Sequence, residues 1–121
     1  MAVKDFRDLF VWQRSMEFVE MIDRVTEDFP PKERFGLTNQ LRRAAVSIPS
    51  NIAEGQGRST TNDFLRFLSI SRGSLQEVQT QFELARRLGY IGDEAACGLA
   101  LLSDEVAKLI NGLCRSLNSS Y

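Results

Sequence analysis

Phe64, Leu68, Ser71, Leu75, Val78, Phe82 and Ala85 follow one another at alternating steps of four and three residues. That rhythm keeps one stripe of a helix apolar over many turns, and such a stripe is the seam along which nearly antiparallel helices pack. It predicts a helix over about residues 60–88, roughly 42 Å long at 1.5 Å rise per residue. A rod of that length cannot bury its seam against itself, so it needs other long helices. Leu99, Leu102, Val106, Leu109, Leu113 and Leu117 repeat the rhythm over about 93–117, and Leu37, Leu41, Ala44, Ala45, Ile48 and Ile52 over about 37–55. The expected fold is all-α, an antiparallel up-and-down four-helix bundle, with residues 1–121 as one domain.

The remaining helix, about residues 8–28, is apolar over a wider arc. Leu9, Trp12, Met16, Val19, Ile22 and Phe29 trace one stripe, and Val11, Phe18, Met21 and Val25 a second. One bundle core uses one face. Assigning the first stripe to it leaves Val11, Phe18, Met21 and Val25 as the candidate contact with another copy of the chain, unless they simply widen the core contact.

Local signals set the boundaries. Pro30-Pro31 ends the first helix, Thr60 and Asp63 have N-capping spacing, Gly89 suits a left-handed cap, and Asp93 is the expected N-cap of the last helix. Pro49 lies inside the second helix, where it lacks a donor and crowds the carbonyl of Ala45, which predicts a kink near residues 45–49. Around it Arg43, Ser47, Ser50, Asn51 and Glu54, with Glu77 from the third helix, form a candidate polar layer. Gly73 stands mid-helix at a cost of about 1 kcal/mol relative to alanine, and close approach of a neighbouring backbone would explain it. Asn118–Tyr121 reads as a frayed tail.

The run Leu41-Arg-Arg-Ala-Ala-Val-Ser-Ile-Pro-Ser-Asn-Ile-Ala-Glu-Gly55, followed by Gly57-Arg58 and by Gly73-Ser-Leu-Gln-Glu77, resembles the signature of the 23S rRNA intervening-sequence protein family, also called the four-helix bundle protein family. The resemblance spans about Leu9 to Tyr90. It implies a four-helix protomer, a bacterial homopentamer, no catalysis and a link to nucleic acid. One related group serves as accessory proteins of diversity-generating retroelements, which makes a protein-partner adaptor the alternative reading.

Charge refines the nucleic-acid question. The chain as a whole carries −1, which argues against a wholly basic nucleic-acid coat. Residues 34–90, however, hold eight arginines against four carboxylates, a net of +4. Either the inner helices attract acidic neighbours, or they form a face for phosphates. Arg42, Arg58, Arg66 and Arg87 are the candidate contacts for RNA or another anion, and repetition in a ring would multiply a modest patch.

Catalytic chemistry has little to stand on. With no histidine in the sequence, histidine triads, histidine-bearing zinc sites and the Glu-x-x-His ligands of di-iron bundles are excluded. Neither catalytic residues, nor a metal site, nor a cofactor is assigned; the residual enzyme candidate is the carboxylate pair Glu54 and Glu77. Cys97 and Cys114 fall on one helix, roughly 25 Å apart, too far to bridge, and read as free buried thiols. With no signal-peptide core near Met1–Asp8 and no membrane-length apolar run, a cytoplasmic protein without membrane contact is expected.

Overall fold

The computed structural model describes residues 5–119. After a single 3-10 turn at Phe6–Asp8, four helices follow: α1 (Phe10–Thr26), α2 (Leu37–Gln56), α3 (Thr61–Arg87) and α4 (Asp93–Asn118), with a second 3-10 turn, Pro31–Glu33, between α1 and α2. The proline at the start of that turn supplies the φ it needs. Met1–Lys4 and the end of the expected tail, Ser120 and Tyr121, lie outside the described residues.

Side-chain bonds fix the antiparallel order. Ser47 and Ser74 meet at 2.8 Å and Ser71 donates to the Ile48 carbonyl at 2.9 Å, tying α2 to α3. Gln79 donates to Ser103, tying α3 to α4. The first and last helices are joined by Arg14, whose guanidinium grips both carboxylate oxygens of Glu105 at 2.8 and 2.7 Å.

In α1 the core face crosses both apolar stripes: Val11 and Phe18 come from one, and Ile22, with Phe29 just beyond the helix, from the other. Val11 and Phe18 are 4 % and 0 % exposed, while Met16 is 38 % exposed and Trp12 and Val19 are only half-buried. Val11 and Phe18 are therefore core residues and not contacts with another copy. Met21 and Val25 pack partly buried against the same core. The buried stripe is completed by two polar residues, Ser15 and Thr26, whose hydroxyls donate to the Val11 and Ile22 carbonyls at 2.7 and 2.8 Å and so enter the core satisfied.

α2 runs unbroken through Pro49, which is buried. α2 and α3 approach closely because the residues between them are small. A Cβ built on Gly55 would lie 2.7 Å from Cβ of Phe67 and 3.0 Å from Cδ1 of Phe64. Gly73, by contrast, has nothing within 4 Å of its Cβ position, so the neighbouring backbone expected there is not supplied by this protomer. Thr60 caps α3 as expected, accepting from the Asp63 amide at 3.1 Å, and Gly89 takes the left-handed conformation with φ of 81°. The N-cap of α4 is Gly92 and not Asp93, which forms the first helical residue, where its charge still favours the helix dipole.

At one end of the bundle the Tyr90 hydroxyl donates to Glu33 at 2.9 Å, while the other Glu33 oxygen accepts from the Leu37 amide at 3.2 Å. The tyrosine ring also packs on Phe29, centroids 5.4 Å apart. The Tyr90 hydroxyl and then the Leu37 amide hold the Glu33 carboxyl below its ordinary range, and the hydroxyl bond to Glu33 raises the Tyr90 phenol. A carboxyl depressed on folding stabilises the fold above its unfolded value, and that stability is lost as pH falls through the lower folded value. Tyr90→Phe is accordingly expected to flatten the acid limb of a plot of melting temperature against pH. An unchanged acid limb would show that the latch contributes nothing.

Candidate binding surfaces

Three surfaces stand out: the arginines, an apolar groove and a polar seam. The four candidate arginines do not converge. Arg42 turns toward α1, donating to Thr26 at 2.8 Å and pairing with Asp23 at 3.3 Å. Arg87 shares Glu83 with Arg86, and these two guanidiniums, Arg86 first, hold the Glu83 carboxyl down to about 2. Arg66 and Arg87 lie 21 positions apart on α3, roughly 32 Å along its axis.

Arg58 and Arg66 do come together. Their guanidiniums lie 4.8 and 4.6 Å from the centroid of the same buried ring, Phe67, which positions both by cation–π attraction. Each also faces a carboxylate: Glu54 lies 2.8 Å from Arg58, and Asp63 3.8 Å from Arg66. Exposed pairs of this kind are worth about 0–1 kcal/mol.

The apolar groove runs between α1 and α2. Trp12, Met16 and Val19 form one wall, Val46, Pro49 and Ala53 the other, and Phe6 closes one end, stacked edge-on against Trp12 at 5.2 Å. It encloses about 340 Å³. Ser50, placed in the polar layer by sequence, lines this groove instead.

The polar seam lies on the α3 side of α2. Asn51 donates to the carbonyl and hydroxyl of Ser47, and Ser47 meets Ser74. Arg43 and Glu77 flank this line, both exposed. Glu54 is not part of it: with Ser47 opposite Ser74, Glu77 stands level with residue 44, and Glu54 lies about 15 Å further along the axis. The two carboxylates therefore cannot share a metal or a proton. Among the described residues, no group of three or more acidic or cysteine side chains is arranged to hold a metal ion. Cys97 is exposed rather than buried; Cys114 is half-buried, and desolvation raises its thiol. No described helix is long and apolar enough to cross a membrane.

The fold defines an all-α four-helix bundle protein. Its family follows from comparison: the chain belongs to the 23S rRNA-intervening sequence protein family, whose profile matches residues 7–112. Among solved structures it is similar to a protein of unknown function from the S23 ribosomal protein family of Bacteroides thetaiotaomicron, 27% identical, with a TM-score of 0.80 over 86% of this chain and 97% of that one. No curated protein matches the chain.

Proposed function

We propose that the protein is a non-catalytic, self-associating scaffold whose assembled surface contacts RNA. The observation that carries this reading is the groove between α1 and α2: Trp12 and Val19, which pack against the core yet stay half-buried, and the exposed Met16 line up opposite Val46, Pro49 and Ala53. An apolar strip rimmed by polar residues is the usual mark of a contact surface. A pentameric ring, as the family resemblance implies, would repeat the Arg58–Phe67–Arg66 stack around its axis and turn a weak phosphate contact into a multivalent one.

Light scattering tests the association. The unmodified chain is expected to be oligomeric at micromolar concentration, and Trp12→Glu with Met16→Glu to be a monomer of unchanged helical content. A monomeric unmodified chain would overturn the scaffold reading and favour an adaptor that takes a helix from another protein in the same groove. Filter binding of structured RNA tests the second half. Affinity should fall steeply with salt, and Arg58→Glu with Arg66→Glu should weaken it by roughly tenfold or more, given about 1.4 kcal/mol per decade. Salt-insensitive retention, or none, would remove RNA from the proposal.

A further inference from the structure

We propose that the cleft between α2 and α3 lined by Asn39, Gln40, Arg43, Ser47, Ser74 and Glu77 binds a small zwitterion, its anionic end on Arg43 and its cationic N–H end on Glu77. The cleft encloses about 310 Å³, with Ala44 in its lining, within the range of sites for small molecules. It is separate from the groove used for association, which lies on the α1 side of the same helix, and the proposal does not depend on that reading.

Unspent bonding capacity carries the argument. Arg34, Arg42, Arg58, Arg66, Arg72, Arg86 and Arg87 each have an ion-pair, hydrogen-bond or ring partner within the chain. Arg43 alone in the basic middle segment has none, although Glu77 stands almost level with it on the facing helix. Glu77 in turn makes one long contact, 3.4 Å from the Gln81 amide nitrogen. The same nitrogen, with its second hydrogen, reaches the Gln40 oxygen, also at 3.4 Å. Gln81 is only 8 % exposed, and its own oxygen has no hydrogen-bond partner. Buried amide oxygens are rarely left so. One end of the seam, at Ser47, Ser74 and Asn51, is tightly bonded; the other, at Gln40, Gln81 and Glu77, is slack.

The slack end sorts its chemistry by helix. The sorting is of charge: α2 carries the Arg43 guanidinium and α3 the Glu77 carboxylate. A simple anion would meet Glu77 and a simple cation would meet Arg43, so each half-ligand is opposed. A molecule carrying both charges satisfies both walls. A charge-assisted hydrogen bond from the ligand to Glu77 would displace the long contact from the Gln81 amide, which lies next to the cleft.

The test is a titration of isotope-labelled full-length protein with β-alanine and γ-aminobutyrate, followed by the side-chain amide resonances of Gln40 and Gln81. Acetate and methylammonium serve as the two half-ligands. Saturable shifts are expected with the zwitterions, and binding at least about tenfold weaker with either half. Arg43→Gln and Glu77→Gln should each cost roughly tenfold, and the exchange Arg43→Glu with Glu77→Arg should restore binding in the reversed orientation. Both side chains are exposed, so unchanged melting temperatures will show that the variants fold. No saturation, equal binding of acetate alone, or indifference to either single variant would overturn the proposal. Light scattering reads association independently, so failure here and failure of the scaffold reading are distinguishable.

Discussion

Phe18→Ala is expected to destabilise the protomer by about 3–5 kcal/mol, the cost of emptying a fully buried aromatic site. Small domains have about 5–15 kcal/mol in total, so much of this one's stability would go with a single ring. Phe18 is completely buried with Ile22 and Leu41 in the core. Met16→Ala, two positions away, should leave the urea midpoint of the monomer nearly unchanged while weakening association. The pair separates the two stripes of α1, because one change reads the core and the other the groove. Equal effects on monomer stability would mean that α1 is rotated from the orientation described.

Gly55→Ala should destabilise as well, by about 1–3 kcal/mol from overpacking, despite a gain of about 1 kcal/mol from alanine's helix propensity. The new methyl would sit 2.7 Å from Cβ of Phe67. That atom is fixed to its backbone and cannot rotate aside, so α3 itself must retreat. Gly55→Val, being bulkier and branched, should cost more. Gly73→Ala supplies the control: its Cβ position is empty, so the same substitution should stabilise the monomer by about 0.5–1 kcal/mol. Denaturant unfolding of the three variants gives opposite signs if the α2–α3 approach is as close as described. Stabilisation by Gly55→Ala would contradict it.

Much of the fold was legible because its signals are local and redundant. Seven positions at steps of four and three defined α3, and Thr60 and Gly89 marked its ends. What could not be read was the facing of α1, and the reason is physical. Two of its core positions are Ser15 and Thr26, which look like surface residues until their hydroxyls are seen to be spent on the carbonyls one turn back. Without them the stripe through Trp12 and Met16 appears the more continuous. The core face therefore takes Val11 and Phe18 from one apolar stripe and Ile22 from the other, and leaves Met16 exposed.

The candidate sites were legible in kind more than in place. Arg58, in the connection between α2 and α3, and Arg66, eight residues on in α3, are united by a shared ring that no periodicity links to both. Arg42 and Arg87 are engaged elsewhere. Ser47 and Asn51 do form a polar line, but its partner on the facing helix, Ser74, sits inside an otherwise ordinary helical pattern.

The grip of Arg14 on Glu105 spans 91 positions. During synthesis at about 5–20 residues per second, the opening helix must therefore wait several seconds for its last neighbour, while the hairpin of α2 and α3, built from nearby segments, can already zip together. α1 thus stays partly uncovered until α4 has emerged, and for that interval the groove at Trp12 is only one part of the greasy surface it presents to a nascent chain alongside.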